Sequence, residues 1–353
     1  MSKFFSEKFC SLTPYVPGEQ PKEREYVKLN TNESPFPPSA LGIRLANEQL
    51  AKVMLYSDPE QRELNDAVAN YYGVKKSQVI MTNGSDEVLN FAFMAYCDAK
   101  TPALFADITY GFYKVFAELN GINYTEIPLR EDFSLSVEDY IEKKGTVFIA
   151  NPNAPTGKAI PLSDIEKLLK SDTSRMVIID EAYVDFGGDS AVKLIDKYDN
   201  LLVTQTFSKS RSMAGARLGF GIANEKIIND LNTLRYSTNP YNVNRITAAM
   251  GVGALLDKEY FNENCNKIIK TREWTKGQLE KLGFNILDSK TNFLFVKHDK
   301  VEGEKIYLKL KEKGVLVRHF NKERIKDFNR VTIGSDGQMQ TFLKAIKEIV
   351  EDK

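Results

Sequence analysis

The middle third of the chain contains short apolar runs that polar residues scarcely interrupt. These runs are TVFIA (146–150), MVIID (176–180), LLVTQTF (201–207) and LGFGIA (218–223). A strand with one face in water alternates apolar and polar residues, so a continuous run is typical of a strand buried on both faces. The pattern therefore predicts a central sheet that is mostly parallel.

Segments with helical periodicity lie between and around these runs. Residues 63–72, 86–97 and 225–235 each place apolar side chains on one face of a helix. Strands that alternate with amphipathic helices indicate an α/β domain.

The last third of the chain has a different pattern, which predicts a smaller α+β domain. It contains three strand-like segments (292–298, 315–320 and 330–335) and two helical ones (305–314 and 336–351). The first 40 residues are rich in proline and polar groups, as in an extended arm. We therefore expect an arm that joins the small domain (1–45), a large domain (46–245) and a small C-terminal domain (246–353).

The amino-acid composition argues against several classes of function. The 48 Lys and Arg residues balance 48 Asp and Glu residues, so neither nucleic acid nor an anionic membrane is an expected partner. No run of about 18 apolar residues and no signal peptide is present. Three widely spaced cysteines, Cys10, Cys97 and Cys265, predict free thiols in the cytoplasm.

Only two histidines, His298 and His319, occur in the chain. Each lies in a short apolar run, which favours a structural role over metal binding or a Ser–His triad, and no metal is expected. Acid–base chemistry in this protein would then depend on lysine, tyrosine or carboxylates.

Polar clusters follow several of the apolar runs, where an α/β sheet has its carboxyl edge and commonly its ligand site. In NGSDE (83–87), the start of a helix suits a phosphate, although Ser85 or Asp86 is equally a plain N-cap. In NPNAPTGK (151–158), a tight turn explains Pro and Gly, but the asparagines could also contact a ligand. Asp180 follows three apolar residues and needs a cationic partner, either a protonated pyridine or a salt bridge.

The fourth cluster surrounds Lys209 in TFSKSRSMAGARLGF (206–220). Thr206, Ser208 and Arg217 could bind a phosphate through two hydroxyls and a guanidinium. A lysine beside a cationic group and away from water has a lowered pKa, which suits an amine that forms a Schiff base. An ordinary surface lysine is the alternative.

Taken together and in order, these motifs give the chain a resemblance to the fold-type I enzymes that depend on pyridoxal 5'-phosphate (PLP). Within them it resembles the class I and II aminotransferases, and more closely the histidinol-phosphate aminotransferases. The resemblance runs through PYVPGE (14–19), LNTNESPFPPS (29–39), YSDPE (56–60), NGSDEVL (83–89), DITYGFY (107–113), NPNAPTG (151–157), DEAYVDF (180–186), TFSKSRSMAGARLGF (206–220), NPYNVN (239–244), VLVRHF (315–320) and RVTIG (330–334).

The resemblance implies a large domain with a mostly parallel sheet, and a role for each matching residue. Lys209 would carry PLP as a Schiff base and act as the general base, and Asp180 would keep the pyridine nitrogen protonated. Tyr183 would bond the phenolic oxygen, and Tyr110 would stack on the ring. The cofactor phosphate would be bound by the Gly84–Ser85 turn, Thr206, Ser208 and Arg217, and Asp86 would also belong to the cofactor site.

Two further implications concern partners and substrates. Tyr56 would reach the phosphate bound by a neighbouring subunit, which implies a homodimer with shared active sites. Arg330, with Arg318 and Tyr15, would hold the anionic end of the substrate. The expected reaction is the ping-pong transfer of an amino group from L-histidinol phosphate to 2-oxoglutarate, giving imidazole acetol phosphate and L-glutamate, in histidine biosynthesis.

The chain departs from the family pattern at one position. Where the family usually has an asparagine that touches the phenolic oxygen, this sequence has Ala154. Either Asn153 replaces it or Tyr183 acts with less help, and we expect Asn153 to replace it. An aromatic amino acid aminotransferase and a decarboxylase of threonine phosphate stay open as alternatives, because enzymes of the same fold share most of these motifs.

Overall fold

The computed structural model describes residues 2–351. Its strands are β1 (Val27–Lys28), β2 (Val79–Thr82), β3 (Ala103–Ala106), β4 (Tyr124–Ile127), β5 (Thr146–Ala150), β6 (Val177–Asp180), β7 (Leu201–Thr206), β8 (Gly219–Ala223), β9 (Phe284–Ile286), β10 (Phe293–His298), β11 (Val315–Leu316), β12 (Arg318–His319) and β13 (Phe328–Thr332).

The α-helices of the described residues lie between and after these strands. They are α1 (Ala40–Asn47), α2 (Arg62–Tyr72), α3 (Ser85–Tyr96), α4 (Phe112–Asn120), α5 (Glu138–Ile141), α6 (Leu162–Ser171), α7 (Glu225–Thr238), α8 (Arg245–Leu256), α9 (Lys258–Lys281), α10 (Gly303–Glu312) and α11 (Asp336–Glu351).

A seven-stranded sheet forms the centre of the larger part of the molecule. Its strand order is β2-β8-β7-β6-β5-β3-β4. All neighbours are parallel except β8, which runs antiparallel to both β7 and β2. The four apolar runs of the middle third are β5, β6, β7 and β8, and every residue of these strands is buried. The predicted α/β class and mostly parallel sheet are confirmed.

A four-stranded antiparallel sheet, β12-β13-β10-β9, forms the centre of the smaller part. Apolar side chains of α9, α10 and α11 pack with this sheet into a separate core. The predicted strand 315–320 is divided between two sheets. β11 pairs with β1 of the arm, whereas β12 pairs with β13.

The domain bounds stay predictions, and their outermost residues 1, 352 and 353 lie outside the described part of the chain. The arm does join the smaller part, since β1 pairs with β11. Helix α8, just after the expected boundary at residue 245, packs against α1 and α2 and contributes Ala254 and Leu255 to the core of the large sheet.

None of the helices in residues 2–351 combines the length and the apolar character needed to cross a membrane.

Candidate active site

The carboxyl ends of β5, β6 and β7 lie side by side and open into a cleft. Ala150 is the register partner of Asp180, which in turn is the partner of Thr204. An inner cavity of about 480 Å³ lies at this edge and contains Lys209. An outer cavity of about 780 Å³ extends towards the smaller sheet. The two cavities have five lining residues in common, Thr31, Tyr110, Ala154, Tyr183 and Lys209.

Asp180 is the last residue of β6 and is only 4% exposed. Its Oδ1 accepts a hydrogen bond from the amide of Ala182 at 3.2 Å, and its Oδ2 accepts one from the hydroxyl of Tyr113 at 2.8 Å. Burial raises the pKa of Asp180 to about 6, because the charged form is removed from water without a cationic partner in the protein. Such a carboxylate suits a cationic ligand atom.

Tyr113 is a residue that sequence reasoning missed. It is fully buried in α4, and Asp180 is the acceptor for its hydroxyl. Its position in DITYGFY, three residues after Tyr110, was the available signal, but the motif does not show which tyrosine faces Asp180.

Lys209 lies in the loop after β7 and is half-buried. Its Nζ donates to the carbonyl oxygen of Thr31 in the arm, at 3.3 Å. Burial, reinforced by the positive charge of Arg330, lowers the pKa of Lys209 to about 8. A sizeable fraction of this amine is therefore neutral and nucleophilic near pH 7.5, unlike an exposed lysine.

The predicted phosphate-binding residues converge at the start of α3. Arg217 donates through Nη1 to the hydroxyl of Ser208 at 3.4 Å, and Thr206 donates to the same hydroxyl at 2.9 Å. Gly84 is the N-cap at φ +79°, and a Cβ there would lie 2.7 Å from Nη2 of Arg217. Backbone amides at the start of a helix have no partner within that helix, which suits an anion.

Asp86 belongs to this cluster through its side chain as well. Its Oδ2 pairs with Nη2 of Arg217 at 3.0 Å, and its Oδ1 accepts from the hydroxyl of Tyr110 at 2.8 Å. The carboxylate thereby fixes the guanidinium and the tyrosine ring on the two sides of the inner cavity.

The structure does not support the expected role of Asn153. Its Nδ2 donates to the carbonyl of Ile108 and to Thr156, both at 3.0 Å, and its Oδ1 accepts from Thr109 at 2.7 Å. Both ends of the amide are thus already hydrogen-bonded, to its own turn and to the segment after β3. Asn153 lines neither the inner nor the outer cavity. Ala154 lines both cavities, but it has no polar side-chain atom to offer.

Two arginines face each other in the outer cavity. Arg318 of β12 is the register partner of Arg330 of β13, so both side chains lie on the same face of the small sheet. Each guanidinium carbon lies within 6 Å of the centre of the Phe320 ring. Arg330 donates through Nη2 to the carbonyl of Asn30 at 3.2 Å, while its buried Nε has no hydrogen-bond partner.

This arrangement costs free energy in the protein alone. Like charges that are directly opposite in a sheet repel each other, and a buried donor without an acceptor adds a desolvation penalty. Burial also lowers the pKa of Arg330. A bound anion would relieve all three costs, which makes the pair a candidate anion site.

The two remaining predicted residues differ in their placement. Tyr15 lines the outer cavity beside the arginines, and its ring stacks on Phe112 with 4.3 Å between centroids. Tyr56 lines neither cavity. It is 78% exposed and stacks on Tyr241 at 4.4 Å.

Exchanging the buried carboxyl of Asp180 for an amide should stabilise the cofactor-free protein. The folded pKa of about 6 lies above the ordinary value of 3.8, so the folded state holds this proton more tightly than the unfolded state. The resulting penalty on folding grows from about pH 4 and is fully present above about pH 7.

We therefore expect Asp180→Asn to raise the unfolding free energy at pH 8 by on the order of 2 kcal/mol, and by much less at pH 4. Denaturant unfolding at both pH values measures this. Asp189→Asn, whose side chain is 74% exposed, is the control and should change little. A gain for Asp180→Asn that does not depend on pH would contradict the assigned pKa.

The residues of the inner cavity fit the cofactor expected from the sequence. A pyridine nitrogen would give Asp180 the cation that it lacks, and the amine of Lys209 is available for an aldehyde. The cradle of Gly84, Ser85, Thr206, Ser208 and Arg217 has the donors that a phosphate requires. Gly219 keeps that cradle compact, since a Cβ there would lie 2.3 Å from the amide nitrogen of Ser85.

Comparisons with known proteins agree with this fit. Residues 24–346 match the family model described as aminotransferase class I and II. Histidinol-phosphate aminotransferases of Brachyspira hyodysenteriae and Clostridium acetobutylicum are 47% and 48% identical to the chain, over 100% and 99% of it and 100% of each relative.

A solved structure has the same fold. The histidinol-phosphate aminotransferase of Sinorhizobium meliloti in complex with pyridoxal-5'-phosphate superposes with a TM-score of 0.90 at 22% identity, covering 100% of this chain and 99% of that one. The chain therefore belongs to the class I and II aminotransferase family and, within it, to the histidinol-phosphate aminotransferases.

Proposed function

We propose that the chain is a PLP-dependent aminotransferase that moves the amino group of L-histidinol phosphate to 2-oxoglutarate. The facing pair Arg318 and Arg330 is the observation that carries this assignment. L-Histidinol phosphate has no carboxylate, so the anion that this pair receives would be its phosphate. The same pair accepts a carboxylate of 2-oxoglutarate in the second half of the reaction, because a guanidinium fork matches either anion.

The cofactor supplies an electron sink for the electron pair that is released when the substrate Cα–H bond breaks. Asp180 supports this by holding a proton on the pyridine nitrogen, an ion pair that also relieves its own burial. Arg217, Ser208 and Thr206 hold the phosphate, and Tyr183 donates its hydroxyl proton towards the phenolic oxygen.

Lys209 has two roles in this proposal. It would hold the cofactor covalently, and its freed, neutral Nζ would accept the proton from the substrate Cα and later give it back. A pKa of about 8 suits both roles, because the amine is easily deprotonated and still basic enough to take a carbon-bound proton. No histidine is needed for this chemistry.

We also propose that the active enzyme is a cytoplasmic homodimer. Exposed apolar side chains concentrate in one surface segment, residues 50–56, where Val53, Met54 and Leu55 are each about 60–80% exposed. Contiguous exposed apolar surface of this kind is typical of an interface. The segment ends at Tyr56, which lies outside its own cleft and is available to a second copy. The three cysteines, Cys10, Cys97 and Cys265, are far apart in the sequence, which suits a reducing compartment.

The half-reaction with L-histidinol phosphate tests the proposed activity directly. We expect the absorbance band of the lysine-linked cofactor to disappear when this substrate is added without a keto acid, because the amino group passes to the cofactor. Adding 2-oxoglutarate should restore the band. Lys209→Ala, which lacks the amine, should bind the cofactor without the band and without turnover.

Other outcomes of the same experiment would contradict the assignment. Release of carbon dioxide from threonine phosphate without a keto acid would indicate a decarboxylase. A response to aromatic amino acids and none to L-histidinol phosphate would indicate an aromatic aminotransferase. Absence of the band after reconstitution with PLP would remove Lys209 from its proposed role.

Removing one of the facing arginines tests the shared anion site. We expect Arg330→Ala to raise KM at least tenfold for both L-histidinol phosphate and 2-oxoglutarate, because a charge-assisted hydrogen bond contributes about 1.5–3 kcal/mol. Steady-state kinetics with each substrate varied in turn measures this. Arg24→Ala, which removes an exposed arginine bonded to carbonyls of α10, is the matched control. A change in KM for only one substrate would mean that the two anions bind at separate places.

A charge in the exposed apolar segment tests the dimer. We expect Met54→Asp to shift the protein from dimer to monomer in sedimentation velocity and to weaken PLP binding, since Tyr56 would no longer reach the second site. Leu308→Asp, at an apolar position of α10 that is 48% exposed, should leave the dimer intact. A wild-type protein that sediments as a monomer would overturn this proposal.

A further inference from the structure

Tyr183 lacks the neighbour that the family pattern provides. The asparagine expected beside the phenolic oxygen of the cofactor is Ala154 here, and the amide of Asn153 is already bonded to Ile108, Thr109 and Thr156. Tyr183 is thus left as the only one of these side chains that reaches both cavities with a polar atom. Its contribution to the site then depends on the direction in which its hydroxyl proton points.

Asn32 of the arm is the hydrogen-bond partner of that hydroxyl. Its Nδ2 lies 2.8 Å from Oη of Tyr183, and the residue is only 1% exposed. Its backbone has φ +56°, a left-handed conformation that asparagine tolerates better than most residues. Nδ2 of Asn292 donates to its carbonyl at 3.0 Å, which holds this part of the arm against the smaller domain.

Thr332 contacts the oxygen end of the Asn32 amide. The hydroxyl oxygen of Thr332 accepts the backbone N–H of Asn32 at 3.0 Å, and its single proton is donated to Oδ1 of Asn32, also at 3.0 Å. The oxygen end of the amide is therefore turned to Thr332, and the NH₂ end is turned to Tyr183.

The direction of the proton on Tyr183 follows from this chain of bonds. Because Asn32 can only donate at this contact, the hydroxyl of Tyr183 must accept there and keeps its own proton for another acceptor. The ring is fixed at the same time, since it packs edge-on against Phe293 with 5.2 Å between centroids. Arg330, Asp180 and Asp86 are the charged groups that act on the hydroxyl, and burial keeps it protonated by raising its pKa.

We propose that Asn32 is a positioning residue for the aminotransferase reaction, which directs the hydroxyl proton of Tyr183 towards the phenolic oxygen and so offsets the asparagine missing at Ala154. The inference rests on the proposed function, because it assumes that the cofactor occupies the inner cavity. Asn32 lines the outer cavity, but its role here does not require contact with cofactor or substrate. It acts through Tyr183.

The imine proton of the lysine-linked cofactor reports on this hydrogen bond. The phenolic oxygen shares that proton with the imine nitrogen. A hydrogen bond donated to the oxygen by another group lowers the affinity of the oxygen for the proton. The donor therefore lowers the pKa of the Schiff base. Without the bond from Tyr183 this pKa should rise by about one unit, the size expected for one hydrogen bond to a charged group.

The test is a spectrophotometric pH titration of the holoenzyme, with Asn32→Gly and Asn32→Asp compared with the wild type. Glycine tolerates φ +56° without a side chain, and aspartate keeps the shape but replaces the donor with an acceptor that competes for the proton of Tyr183. We expect the Schiff-base pKa to rise by about one unit in both variants. We also expect kcat to fall about tenfold with little change in KM, because the anion site is intact.

Two further variants separate positioning from a general loss of structure. On a Tyr183→Phe background, Asn32→Gly should leave the Schiff-base pKa where Tyr183→Phe puts it, since Asn32 acts only through that hydroxyl. In the Asn32→Gly protein, adding Ala154→Asn should bring the pKa back down. Asn329→Asp is the matched control, a buried amide that bonds the carbonyl of Gly303 and should lower stability without moving this pKa.

The outcomes distinguish this inference from the proposed function. A wild-type protein that forms no lysine-linked cofactor would refute the function itself. A wild-type protein that forms it and transaminates, while Asn32→Gly titrates as the wild type does, would overturn the role of Asn32 alone. An equal rise in pKa with and without the hydroxyl of Tyr183 would also overturn it, because the effect would then travel by another route.

Discussion

Three ionisable side chains, Asp180, Lys209 and Arg330, lie in one cleft with little access to water. Burial shifts the pKa of each in the direction that favours its neutral form. The pKa of the carboxyl rises and the pKa values of the two bases fall, so the charged form of each group is less stable here than on the surface. None of the three forms an ion pair with another residue of the described range 2–351. A ligand with a cationic ring nitrogen, an aldehyde and anionic groups would supply the missing partner of each.

Apolar packing of the large sheet offsets the free energy lost by burying these groups in the cleft. All residues of β5, β6, β7 and β8 are buried, so the edge that carries Asp180 and Thr206 is fixed by apolar packing on both faces of the sheet. A rigid support of this kind can tolerate strain and unpaired charge at its edge, and proteins commonly combine stable scaffolds with destabilised active sites.

The arm contacts both halves of the site. The backbone of Leu29 bonds to Leu316 and to Thr332, so this stretch of the arm is built into the smaller part of the molecule. The next residues reach the loops after β6 and β7, where Thr31 accepts from Lys209 and Asn32 donates to Tyr183. One short segment therefore links the proposed cofactor groups directly to the small sheet that carries the anion site.

The sequence by itself determined the fold class and most of the chemistry. Continuous apolar runs identify buried strands because burial on both faces leaves no place for polar alternation, and residues that end such strands must meet at one edge. Asp180, Thr206 and Lys209 could be predicted for that reason, and so could Gly84 and Arg217 with the help of the family pattern.

Only the tertiary structure decided which side chains meet across distant segments. Strand register places Arg318 opposite Arg330, and it divides 315–320 between two sheets. The direction of a side chain decides that Asn153 bonds to Thr109, and that Tyr113 and Asn32 reach Asp180 and Tyr183. These three side-chain contacts join residues 44 to 151 positions apart. Spacing along the chain carries no information about them, since register and side-chain direction are fixed only when the separate elements pack together.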